Sequence, residues 1–184
     1  MAARPLPMPS ALATDPAALL WRTLLTGLLL VACITDVRAR RIPNALVLVT
    51  LALGVGHALL AWGGAVDGAG FTATPWAALL GTVVGLLVGL PFWAAGIMGG
   101  GDVKLFAAAA AWLGPTLVPE AATATAIAGG GLALLWMARR VASRAAALVP
   151  SLSGVWVAIE RHPVTVPYGL AIAAGIAGPL WLAG

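Results

Sequence analysis

Apolar stretches alternate with short polar breaks along the whole chain, and most stretches are long enough to cross a bilayer. A crossing helix needs about 20 apolar residues. The first stretch runs from about Ala17 to Thr35, the second from about Ala45 to Trp62, and the third from about Pro75 to Met98. A shorter fourth runs from Val103 to about Val118, interrupted by Gly114-Pro115. A fifth runs from about Ala121 to Ala138, and a sixth starts near His162-Pro163 and runs to Ala183. The breaks are of turn type. They are the charged stub Asp36 to Arg41 with Ile42-Pro43-Asn44, the Gly-rich loop Gly63 to Thr74 containing Asp67, the glycines Gly99 to Gly101, and the turn Pro119-Glu120. Val141 to Arg161 mixes charged, Ser and apolar residues around Pro150, and it is expected to lie along the membrane surface. The pattern predicts an all-α, polytopic membrane helix bundle of about six transmembrane helices.

Thr14-Asp15-Pro16 reads as a helix start, with Pro at the first helical position. Residues 1–16 are therefore expected to form an N-terminal extension, and residues 17–184 a single membrane-embedded domain. Ala11-Leu12-Ala13 precedes the first apolar run, the wrong order for a cleaved secretory signal. Within the third stretch, Gly81, Gly85 and Gly89 recur every four residues on one face, which allows close helix packing, and Pro91 is expected to bend the helix. His57 is expected to be hydrogen-bonded within its own helix.

Composition agrees with the pattern. The 184 residues are 61% hydrophobic and 9% charged, and the mean hydropathy is +1.02. Soluble domains carry about 25% charged residues, so a soluble enzyme or nucleic-acid binder is excluded. The net charge of +4 follows membrane placement. With six spans, Arg38, Arg40, Arg41, Lys104, Arg139, Arg140, Arg144 and Arg161 share one side, against Arg4 and Arg22 on the other. Cytoplasmic loops carry the Lys/Arg excess. Both termini are then outside, and the charged connections face the cytoplasm of a cell (inner) membrane. The single cysteine, Cys33, forbids an intrachain disulfide and is read as a packing residue.

Gly99-Gly100-Gly101-Asp102 is the candidate chemical element. Glycine admits φ > 0 and close backbone approach, and Asp102 opens a helical run. Taken alone, this is equally the signature of a capped helix, because Asp is a good N-cap. Asp36 adds a second carboxylate at the same membrane face, although a juxtamembrane pair with Arg38 or Arg40 also accounts for it. Two nearby carboxylates do not both ionise cheaply. One then takes a proton from water while the other polarises a peptide carbonyl. The serines lack a matching His/Asp set, and metal ligands are too few for a hydrolytic metal site.

Three motifs now combine: Asp36-x-Arg38 with Ile42-Pro43-Asn44, then Gly99 to Lys104, then Val166-Pro167-Tyr168-Gly169. Together they resemble the type IV prepilin leader peptidases, from Ala17 onward and most closely the short members serving tight-adherence (Flp-type) pili. The archaeal preflagellin peptidases are similar. The resemblance implies a membrane aspartic endopeptidase with Asp36 and Asp102 as the catalytic pair. Gly99, Gly101, Lys104, Pro167, Tyr168 and Gly169 would support the site or the substrate. Gly100 sits at the motif's variable position and is expected to tolerate change best. Lys104 is equally a topology anchor, and Arg38 reads better as one. The implied partners are a prepilin substrate, cut at the cytoplasmic face before its apolar helix, the lipid bilayer and a pilus assembly machinery. No nucleic acid, metal or cofactor is implied. Larger relatives also methylate the new pilin N-terminus, using an extra region that often carries two Cys-x-x-Cys pairs. Here the matching connection is only Asp36 to Asn44, so no methyltransferase is expected. A presenilin-like intramembrane protease and a transporter or assembly scaffold remain as alternatives. The first fits poorly with an aspartate at the membrane edge, and the second more naturally holds ionisable groups at the midplane.

Overall fold

The computed structural model describes residues 16–66, 72–147 and 168–182, and all elements in them are helical. These are α1 (Pro16–Ala39), α2 (Asn44–Trp62), α3 (Pro75–Ala94), α4 (Gly100–Ala147) and α5 (Tyr168–Leu182). Four of them, α1 to α4, are long and apolar enough to cross a membrane, so the protein is a multi-pass membrane bundle. Thr14, Asp15, Asp67, His162, Pro163, Pro167 and most of the expected surface segment lie outside the described residues.

The break expected at Pro119-Glu120 is instead at Gly114, and both of those residues are helical. Gly114 has φ 69° and ψ 171°, the only non-helical residue inside α4. An unbroken helix would hold Phe106 and Gly129 about 35 Å apart. They line one cavity, so the chain reverses at Gly114 and α4 is two arms folded back on each other. The second arm also continues past Arg139-Arg140 as helix to Ala147, beyond the expected end of the fifth span.

The first arm is the centre of the bundle. Every residue from Leu105 to Leu113 is buried, including the alanine run Ala107 to Ala111. Small side chains let neighbouring backbones close in on it. The Gly81/Gly85/Gly89 stripe of α3 faces it directly, with Gly81 against Ala110 and Gly114, Gly85 against Ala107 and Ala110, and Gly89 against Val103. On another side, the Trp112 indole donates to the Thr50 carbonyl at 2.8 Å and occupies the space left by Gly54. His57 is wholly buried beside this indole, stacked on Trp112 and edge-on to Trp21. The second arm meets α5 with almost no gap at Gly175, where a Cβ would overlap Thr125.

A helix that ends inside a bundle leaves carbonyls without partners. Thr72 supplies them: its N–H donates to the Trp112 carbonyl at 2.9 Å and its hydroxyl to the Ala111 carbonyl at 3.0 Å. Gly114→Ala combines an unfavourable left-handed backbone with a Cβ only 2.7 Å from Thr72 Cγ2. We expect it to lower stability by about 1–3 kcal/mol, and Thr72→Val to lower it by about 1–2 kcal/mol. Thermal unfolding in detergent measures both, and unchanged midpoints would contradict the capped reversal.

The helices alternate in direction. The C-terminal ends of α1 and α3 and the N-terminal ends of α2, α4 and α5 gather at one end, as the contacts 36–169, 89–103, 101–42 and 129–168 show. Among the described cations, Arg38, Arg40, Arg41, Lys104, Arg139 and Arg140 are exposed toward this end, whereas Arg22 is buried toward the other.

Candidate active site

Asp36 and Asp102 come to this same end from different helices. Asp36 lies in the last turn of α1, half-buried. Its Oδ2 accepts the backbone N–H of Gly169, in the first turn of α5, at 3.1 Å. A Cβ at Gly169 would stand 3.0 Å from that oxygen and 3.2 Å from the Asp36 Cβ. Glycine is thus what permits the approach. Tyr168 precedes it, with its ring against Gly129 of the second α4 arm.

Cys33 is more than packing. It lies one turn before Asp36 on the same face of α1, and its Sγ donates to the Gly169 carbonyl at 3.2 Å. Gly169 is therefore held through both its N–H and its C=O by one face of α1. Sequence reasoning missed this role. The i, i+3 spacing from Asp36 was visible, but the contact spans 136 residues.

Asp102 is the third residue of α4 rather than its N-cap. The helix begins at Gly100, and the Asp102 Oδ2 reaches back to accept the Gly99 N–H at 3.3 Å. This is the carboxylate half of a capping box, in which the third helical residue bonds the N-cap N–H. Oδ2 is committed to the helix end, whereas Oδ1 is buried with no hydrogen-bond donor on it among the described residues. The two carboxylates are near enough for their charges to interact.

The glycine triplet works differently from expectation. None of its residues has positive φ; the left-handed glycine is Gly96, which closes α3. There the Gly96 N–H bonds the Trp93 carbonyl and the Ile97 N–H bonds the Phe92 carbonyl, a Schellman closure that aims the chain into the triplet. Gly99 is the crowded position, with a Cβ falling 2.9 Å from Asp102 Oδ2. Gly100 and Gly101 are similar in room, at 3.4 Å from Trp93 and 3.5 Å from Ile42. Space therefore does not set Gly100 apart as the tolerant position. The Gly101 contact also brings the Ile42-Pro43-Asn44 turn against the start of α4. Lys104 is exposed in the first turn of α4, and Pro167 lies outside the described residues.

The fold and its polar end define a polytopic membrane protein with a carboxylate pair between the ends of its first and fourth helices. The chain belongs to the type IV leader peptidase family, whose sequence model matches residues 23–134, and it is accordingly a membrane peptidase. The match takes in both aspartates and stops before α5. Comparison with curated proteins and with solved structures gives no match.

Proposed function

We propose that this peptidase removes the leader of a type IV prepilin of the Flp class, cutting at the cytoplasmic face of the inner membrane, with Asp36 and Asp102 as its catalytic groups. The observation that carries the reading is the meeting of those two carboxylates at one bundle end, each held through one oxygen by a glycine N–H. On this reading residues 17–184 form one catalytic membrane domain, and residues 1–16 are an extension of it.

The chemistry is that of a carboxylate pair holding one proton. Asp36, half-buried and with its Oδ2 held by the Gly169 N–H, serves as the base. The buried Oδ1 of Asp102, with no donor among the described residues, is best matched to a proton of its own. It donates to the oxygen of the scissile carbonyl. Asp36 takes a proton from water, and the water oxygen bonds to the carbonyl carbon. Collapse of that adduct breaks the C–N bond, the departing amine takes up the proton that Asp36 removed from water, and the adduct's hydroxyl returns a proton to Asp102. The products are a leader with a new carboxylate and a pilin with a free N-terminus. Gly99 and Gly169 fix the two carboxylates, Tyr168 borders the substrate, and Lys104, exposed at the same membrane face, positions Asp102 or substrate or anchors the topology.

Co-expression with candidate prepilins tests the reading, with leader removal read by mass spectrometry. The mature pilin is expected at the mass of cleavage alone. One methyl group more, from purified protein and S-adenosylmethionine with no other enzyme, would overturn the peptidase-only assignment. Activity is expected to fall as pH rises and the shared proton is lost. A rate that stays flat well into the alkaline range would argue against a protonated partner. Within the cell, the implied partners are the prepilin, lipid and pilus assembly machinery.

A further inference from the structure

A cavity of about 430 Å³ lies between α3, the two arms of α4 and the start of α5. Its walls include Val88 and Phe92 of α3, Phe106 of the first α4 arm, and Ala122 and Ala126 of the second. Three observations join it to the candidate site. Phe106 lies four residues after Asp102, one turn along the same face of α4. Met98, in the lining, precedes Gly99, whose N–H holds Asp102. Tyr168, also in the lining, precedes Gly169, whose N–H holds Asp36. The residues next to both carboxylate supports thus line the cavity.

We propose that this cavity seats the first turns of the substrate's apolar helix, the segment that follows the scissile bond. The proposal rests on the peptidase reading above and deepens it. Lipid tails are as apolar as the substrate helix, so burial alone gives no reason for the helix to leave lipid. Close backbone approach does, and the second arm offers small residues one turn apart, Ala122 and Ala126, with Gly129 and Gly130 beyond them. A helix held there begins one turn from Asp102. Its preceding peptide bond is then delivered to the carboxylates without a separate search for orientation. A lipid acyl chain in the same cavity would leave the peptide bond free to wander.

Photo-crosslinking tests the seat. A benzoylphenylalanine is placed at Thr123 or Ala126, both in the cavity lining, within an Asp102→Asn background that leaves the prepilin uncut. The control position is Leu87, exposed on α3 and outside the lining. In liposomes with prepilin, the cavity positions are expected to crosslink to residues in the first two turns after the cut position. Leu87 should give about tenfold less product. In the active protein, Ala126→Trp fills the cavity and should slow cleavage by about tenfold or more. Crosslinks to lipid alone, equal labelling from Leu87, or undiminished cleavage by Ala126→Trp would each overturn the seat. If the wild type cuts the same prepilin, the peptidase reading survives that outcome. A wild type that leaves the prepilin uncut removes both.

Discussion

Asp36→Asn and Asp102→Asn should each reduce prepilin cleavage by about 10²–10⁴-fold, the scale of a lost general acid or base. Asparagine keeps the shape and one acceptor oxygen. In Asp102→Asn that oxygen still accepts the Gly99 N–H, so the start of α4 remains capped. In Asp36→Asn it still accepts the Gly169 N–H, so α5 stays docked on α1. Thermal unfolding of both variants should therefore stay close to wild type while turnover is lost. The double variant should be little worse than either single one, because the two groups act as a unit. Near-normal turnover by either single variant would contradict the assignment. A large drop in melting temperature would reassign the effect to structure.

The second large effect belongs to packing remote from the carboxylates. Gly81→Leu should unfold or misassemble the bundle. A Cβ at Gly81 would overlap the Ala110 carbonyl and stand 2.9 Å from the Gly114 Cα, so even alanine forces α3 away from the first α4 arm. Overpacking of this kind costs about 1–3 kcal/mol for a small group and more for a large one. The opposing atoms are backbone, which has no rotamer through which to yield. Gly27, on α1, is the control, since nothing lies within 4 Å of its Cβ position. Gly27→Ala should be neutral or stabilising by up to about 1 kcal/mol. Because the first arm carries Asp102, Gly81→Ala should also lower cleavage in whatever fraction still folds. Melting midpoints in detergent report the comparison, and equal behaviour of the two alanine variants would contradict the interface.

Several of these features were legible in the sequence for physical reasons. Apolar run length predicts the helices, and the Arg-rich breaks group Asp36 with Asp102 on one side of the membrane. The four-residue glycine spacing pointed to a packing face, and Gly81, Gly85 and Gly89 all meet the first α4 arm. The reversal was misplaced by five residues, because Pro119-Glu120 looks like a turn whereas Gly114-Pro115 looks like an interruption. What decides between them is Thr72, about 40 residues upstream, which bonds the orphaned carbonyls of Ala111 and Trp112. Local pattern carries no trace of so distant a partner. The same holds for Cys33 and Gly169, brought together by the docking of α5 on α1. The residue type of Asp102 permits an N-cap as readily as a third helical position. Its place as third residue depends on Gly96 closing α3 early enough for α4 to start at Gly100.

If these two carboxylates hydrolyse one peptide bond next to an apolar helix, intact-mass analysis of a prepilin incubated with the purified protein in liposomes will show it. Two fragments are expected whose masses sum to the substrate plus one water, with the cut just before the apolar segment. Neither fragment should form with Asp36→Asn or Asp102→Asn. A prepilin left whole by the wild type, or fragments of the same masses from either variant, would contradict this chemistry.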